Sequence, residues 1–403
     1  MSLFRIGFLP LVDAALPILA QELGLAEAEG LKLELVRDPS WATVRDRLIY
    51  GQTDAAHLLA PLAIATSLGL DRPAVPLAAP FMLGLNGNAV TVTQEIAARL
   101  GADPVRDAAT TGQAFAAIAR ERLAEGRRLR LAVVHRYSSH NYMLRYWLAA
   151  SGCDPDQDVE ITVVPPPFVA EALQSGEIDG SCVGEPWNSV AVERGVGVIV
   201  AATSRIWSRG VEKLLAMRTA TLGERADEVA ALLRALHAAG AVAIDPARRA
   251  DVAAVLARPE YLDQPVELIA RSLSNRLVFR MGEPAQRIED FLVLHGEAAN
   301  FPWRSQAMWL YTQMVRWGHA PADLRDLGRA AAVFRPDVYR AVLAGTGAVI
   351  PSASAKVEGA ISVPTGAGSV SGRLILGPDR FFDGRRFDPD DVESYLEEML
   401  PRP

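Results

Sequence analysis

Three lysines, Lys32, Lys213 and Lys356, stand among 41 basic residues, and every other fixed cation is an arginine. A lysine offers one compact ammonium, whereas arginine offers a bulky five-donor fork suited to carboxylate or phosphate. His140 follows Ser138 and Ser139, which carry N-cap chemistry. It would therefore occupy the positive end of a helix, where free N–H groups favour an anion. Asn86-Gly87-Asn88 is a turn signal placed before an apolar run. Asp13 reads as a helix cap and His57, within an apolar strand pattern, as a core histidine.

Familiar catalytic signatures are missing. There is no Walker A loop, no H-E-x-x-H, no G-x-S-x-G and no Rossmann G-x-G-x-x-G. The glycines from Gly366 to Gly372 lack a strand-to-helix context and read as a linker. Cys153 and Cys182 are too few for a disulfide framework and form no C-x-x-C pair, so no metal centre is expected. The expectation is a binding protein without catalytic residues or cofactor. A net charge of −7 and no basic cluster argue against direct nucleic-acid binding. The first apolar run is broken by Arg5, Gly7, Pro10 and Asp13, unlike a secretion signal, and no later run has the roughly 20 residues that span a bilayer. A cytoplasmic protein without membrane contact is expected.

The elements that must position these residues alternate. Strand patterns at 4–9, 31–35, 54–57 and 75–79 are separated by helical patterns at 14–23, 42–50 and up to 68. A second series follows, with strands at 129–134, 159–164 and 179–183 and helices at 140–150 and 169–173. This rhythm predicts α/β lobes with mostly parallel sheets and ligands at the carboxyl ends of strands. Gly51-Gln-Thr-Asp54 and Gly176-Glu-Ile-Asp179 echo each other, as expected of two lobes built alike. Residues 222–343 read as helical without strands. Residues 352–371 read as flexible or extended, and 389–400 as a short helix able to fold back or to meet a partner.

Several motifs then fall in one order along nearly the whole chain. They are Ile6-Gly-Phe-Leu-Pro-Leu-Val-Asp13, Pro39-Ser-Trp41 with Arg45-Asp46, Asp54-Ala-Ala-His57, Arg145-Tyr-Trp-Leu-Ala-Ala150 and Val164-Pro-Pro-Pro167. Cys182-Val-Gly-Glu-Pro-Trp-Asn188, Glu212-Lys213, Phe382-Asp-Gly384 and Phe387-Asp-Pro389 complete the set. In these motifs the chain resembles the nitrate/bicarbonate substrate-binding proteins of cyanobacterial-type ABC importers, and most closely the cytoplasmic nitrate/nitrite sensors of the NasS type.

The resemblance implies a periplasmic-binding-protein type II-like fold with an anion in the interlobe cleft and a helical C-terminal region. Residues 1–88 would begin lobe I, 89–184 would form lobe II, 185–345 would return to lobe I with the helical region, and 346–403 would form the tail. Nitrate is a planar, weakly basic monoanion that needs in-plane donors, one positive charge and a flat surface. Residue by residue, the resemblance assigns these roles to Trp41, His140 and Lys213, with Asn88 in place of a family Gln and Asn86 as the weaker candidate for that place. Ser139, Pro166, Gly184 and Glu185 would line or brace the cleft; a carboxylate at Glu185 would repel a monoanion and so buttress rather than touch it. The bicarbonate branch carries an acidic residue and a metal where Lys213 stands, so the lysine points to nitrate or nitrite. The NasS resemblance further implies an RNA-binding antiterminator partner of the NasT type, released when nitrate binds. The alternatives are the binding component of a nitrate ABC transporter and an enzyme of the thiamin-pyrimidine synthesis type. The second of these needs a cysteine cluster that this sequence lacks.

Overall fold

The structure is a computed structural model, which describes residues 1–101 and 107–400. The first four strands are β1 (Ser2–Phe8), β2 (Leu31–Arg37), β3 (Ala55–Leu59) and β4 (Leu77–Asn86). Five more follow: β5 (Asn88–Val92), β6 (Leu129–Val133), β7 (Val159–Val163), β8 (Gly180–Gly184) and β9 (Val198–Ala202). The chain then comes back with β10 (Val211–Arg218). One sheet has the order Leu292–Val293, β4, β10, β3, β1, β2, and the other the order β7, β6, β8, β5, β9.

Both sheets are mixed, where the alternating pattern predicts mostly parallel ones. β1 runs parallel to β2 and β3, and β6 runs parallel to β7 and β8. Each sheet also receives a strand inside it that runs against this direction. β5 enters antiparallel between β8 and β9, and β10 enters antiparallel between β3 and β4. These are the two strands on which the chain crosses between lobes, so each arrives from the opposite side. The first crossing is made at Asn86 and Gly87, both at positive φ. Asn86 tolerates this conformation and locks it, donating to the carbonyls of Ser208 and Asp290 and accepting from the Gly210 N–H.

The second lobe runs past its expected limit at 184. Helix Trp187–Glu193 and β9 belong to it, because β9 pairs with β5 from Ala89↔Ala202 to Val92↔Val198. The return to the first sheet is therefore made by β10. Residues 222–343 are helical as patterned, but short strands interrupt them. Arg276–Leu277 pairs with Gln286–Arg287, and Leu292–Val293 adds to the edge of β4. Asn275 and Asp290, both at positive φ, turn the chain there, as Asn and Asp permit.

The tail folds back on the body. Its short strands pair as Ile350–Pro351 with Ser369–Ser371 and Thr365–Ala367 with Leu374–Leu376. Lys356 is clamped between Glu358 and Asp379, each at 2.5 Å. Phe381 stacks on Trp207 with centroids 4.9 Å apart. The Tyr146 hydroxyl, from the second lobe, donates to Asp383 at 2.9 Å. Helix Val392–Met399 closes the tail, with the Tyr395 hydroxyl accepting from Trp309 Nε1. Among the described residues no single helix is long and apolar enough to cross a membrane.

Candidate functional site

Two helix starts and two strands bring the site together. Ser40 caps helix Trp41–Ile49, its hydroxyl accepting from the Thr43 N–H, which puts Trp41 in the first turn. Ser138 caps helix Ser139–Ala150 in the same way through the Asn141 N–H, leaving His140 at its positive end. Asn88 opens β5 and Lys213 lies on β10, opposite Gly84 of β4. Adjacent residues on a regular strand point to opposite faces. The β10–β4 pairing slips on both sides of Lys213, however, and this irregularity turns Glu212 and Lys213 into one cluster.

The cluster is shut away from solvent: Trp41, Asn88, His140, Glu212 and Lys213 are each at most 2 % exposed. Lys213 Nζ lies 2.6 Å from Glu212 Oε1 and 2.9 Å from Asp13 Oδ2. It also sits 5.2 Å from the centre of the Trp41 ring. Asp13 Oδ1 meets His57 Nε2 at 2.9 Å, and the His57 ring packs against Trp41. Asn88 Nδ2 donates to Glu212 Oε2 at 2.6 Å. His140 Nδ1 stands 3.4 Å from Glu212 Oε1. Trp41 Nε1, Asn88 Oδ1 and both His140 nitrogens are buried without a hydrogen-bond partner.

Burial alone would raise both carboxylates, but the ammonium and the hydrogen bonds that they accept oppose it. Asp13 is held well below the carboxylate range, chiefly by Lys213, and Glu212 is lowered by His140 whenever that ring is charged and by Lys213 throughout. Burial would likewise discharge Lys213, yet Asp13 and Glu212 raise its pKa and keep it charged. His140 goes the other way: burial pulls its pKa down to about 4, against the pull of Glu212. The cluster thus holds two carboxylates, one ammonium and two neutral imidazoles. Among the described residues no group of three or more His, Cys, Asp or Glu could hold a metal ion. In this cluster the cation is the lysine itself.

The structure brings Trp41, Asn88, His140 and Lys213 together, with Ser139 beside Glu212. Gly184 belongs here too: a Cβ on it would stand 3.1 Å from Asn88 Oδ1 and 3.8 Å from His140 Nε2. Glu185 turns away. Its carboxylate accepts from Ser189 and Ser272, burial raises its pKa, and its carbonyl takes the Val12 N–H. Pro166 opens a 3-10 turn after β7, with no polar contact to the rest of the set. Asp13 is not a cap, since no side-chain bond caps the turn Val12–Ala14; its carboxylate is spent on Lys213 and His57. Asp13 and Glu212 are the functional residues that the sequence reading left out. Each is a lone acid in an apolar stretch, Leu9–Ala15 and Val211–Met217, and that is the signal that marks them. Cys153 and Cys182 are both buried and free, and burial raises the pKa of both thiols.

The family description "NMT1-like" matches residues 2–257. The chain belongs to this family. Within it, the chain is 30% identical to the nitrate/nitrite binding protein NrtA of Synechococcus elongatus, over 97% of this chain and 85% of that protein. It is 32% identical to the nitrate import ATP-binding protein NrtC of a Synechocystis species, over 83% of this chain. It spans about half the length of that relative, 49%. The crystal structure of the periplasmic nitrate-binding protein NrtA from Synechocystis PCC 6803 superposes with a TM-score of 0.86 at 25% identity, covering 100% of this chain and 99% of that one. The NMT1-like chain therefore has the periplasmic-binding-protein fold, α/β in two lobes with the cluster between them. Its NrtA relatives are nitrate-binding proteins.

Proposed function

We propose that the chain binds nitrate or nitrite between its lobes and serves as the substrate-binding component of an anion importer. The observation that carries this reading is the set of buried, unpartnered donors around a charged lysine. Trp41, with Nε1 unpartnered, lies against Lys213 from the first lobe, and the His140 ring, with both nitrogens unpartnered, lies against Glu212 from the second. A planar monoanion needs such in-plane donors, one positive charge and a flat surface. The NrtA names of the relatives support the same ligand class, and the NrtC relative, a nitrate import ATP-binding protein, supports the transport role. Asn88 contributes less than its type suggests, because one amide hydrogen is committed to Glu212. Calorimetry with nitrate, nitrite, bicarbonate and sulfate tests the reading. Heat is expected with nitrate and nitrite, and heat with bicarbonate or sulfate but none with nitrate would refute it.

The sequence motifs favour a second role for the same site, a cytoplasmic sensor that holds an RNA-binding antiterminator of the NasT type until nitrate arrives. Nitrate would then have to bind the free protein better than the complex, since equal affinity shifts nothing. Fractionation of cells and a pull-down with and without nitrate separate the two roles. A partner released by nitrate supports the sensor, and a protein recovered outside the cytoplasm with importer subunits supports transport.

A further inference from the structure

Two ionised carboxylates face one ammonium in a cluster closed to water, so the anion-free site already carries one surplus negative charge. A monoanion entering alone would double that surplus with no counter-ion beside it. From this conflict we infer that His140 takes up a proton from solvent as the anion enters, so that the site binds a monoanion together with H⁺. The inference rests on the anion-binding reading above and adds its stoichiometry.

The geometry leaves few other ways to balance the charge. Asp13 and Glu212 are poor proton acceptors here, because each is tied to Lys213 and to a further donor, His57 or Asn88. His57 has committed Nε2 to Asp13 and keeps only Nδ1 without a partner. Of the two histidines in the cluster, His140 alone has both ring nitrogens free of hydrogen bonds. The groups around its ring come from four other elements: Glu212 and Lys213 on β10, Asp13 on the turn after β1, Asn88 on β5 and Gly184 on β8. Only Glu212 is near enough to brace a charged ring, with Oε1 3.4 Å from Nδ1. A shift of about half an ångström makes that a charge-assisted hydrogen bond. The opposite nitrogen, Nε2, then faces the Gly184 and Asn88 side as a donor for the anion. That the ring is neutral beforehand follows from its burial, which holds its pKa near 4. One proton compensates one charge, so the same device favours a monoanion over a dianion such as sulfate.

The test is calorimetry of the full chain with sodium nitrate at pH 7.5, in phosphate and in Tris at matched ionic strength. These buffers differ widely in ionisation heat. The apparent enthalpies should differ by the heat of about one proton taken up per nitrate bound, and Kd should rise about tenfold per pH unit between pH 6.5 and 8. His140→Gln should weaken binding and abolish the buffer dependence, while His57→Gln should keep the dependence. The wild-type comparison decides on its own if a variant does not fold. Nitrate binding with equal enthalpy in both buffers and a flat pH profile overturns the proton uptake but leaves the nitrate reading standing. Uptake that persists in His140→Gln overturns the assignment to His140. No nitrate binding in either buffer removes both.

Discussion

Replacing Lys213 by Met keeps most of the side-chain length and removes the charge, which leaves Asp13 and Glu212 buried without a cation. With an effective dielectric of about 20, contacts of this length are worth roughly 6 kcal/mol each before desolvation. The cost of drying the ions cancels much of that, and removal of one partner from a buried ion group typically costs about 3–5 kcal/mol. Spread over an unfolding entropy of about 2.1 cal/mol/K per residue, this corresponds to a melting temperature lowered by roughly 4–6 °C in a single cooperative transition. The sign of the pH dependence follows from the same contacts. In the wild type the Asp13 pKa is depressed. Its stabilisation is therefore complete above the ordinary carboxylate value of 3.8 and is lost only as pH falls through the lower folded value. In Lys213→Met burial is no longer opposed, the carboxylates move up, and protonation relieves them at moderate acidity. The gap between wild type and variant should therefore be largest near pH 7.5 and shrink by pH 5. Thermal and urea unfolding followed by circular dichroism at both pH values measure it, with Lys213→Met/Asp13→Asn expected to recover part of the loss. A gap that is absent at pH 7.5, or equal at the two pH values, would refute the account of the cluster.

Lys213→Arg keeps the charge but forces a planar fork between Asp13 and Glu212; nitrate affinity should fall about tenfold or more by calorimetry, near 1.4 kcal/mol. Gly184→Ala places a methyl 3.1 Å from Asn88 Oδ1 and 3.2 Å from Leu11 Cδ2, so ligand affinity should drop with a stability loss of about 1–3 kcal/mol in urea. Tyr146→Phe removes the bond to Asp383 that ties the tail to the second lobe, and should cost about 1.5–3 kcal/mol in the same assay and speed proteolysis of the tail. His135, His140, His237 and His319 all have pKa values pulled down to about 4 by burial. The stability they contribute is present above 6.5 and lost as pH falls towards 4, so the urea midpoint should drop between pH 7 and pH 5, and drop less in His140→Gln.

Much of the architecture was legible because local periodicity carries it. The strands at 31–37 and 129–133 and the helices at 41–49 and 139–150 lie within a residue or two of their patterns. What periodicity cannot encode is where a strand is placed. β10 carries Lys213 between β3 and β4, far from either in sequence, and β9 stays with the second lobe through its pairing with β5. For the candidate site, the motifs that carry the family resemblance pointed to Trp41, Asn88, His140 and Lys213, which the fold does gather. They did not reveal that Lys213 is already neutralised. Asp13 and Glu212 meet it from separate elements, and Glu212 does so only through a slip in strand register. Asp13 read as a cap because a lone Asp before a helical pattern usually is one; the carboxylate turned to a buried ammonium instead.

The scarcity of lysine also gives the protein an unusual surface chemistry. Of its three side-chain amines, only Lys32 is exposed; Lys213 is fully covered and Lys356 is largely covered. An amine-directed acylating reagent therefore meets one accessible lysine on the folded chain. Lys213, charged and paired, can react only after the lobes part and its proton leaves. Its slow acylation, followed by peptide mass spectrometry against Lys32 as an internal standard, is a clock for how often the cleft opens. A bound anion should slow that clock.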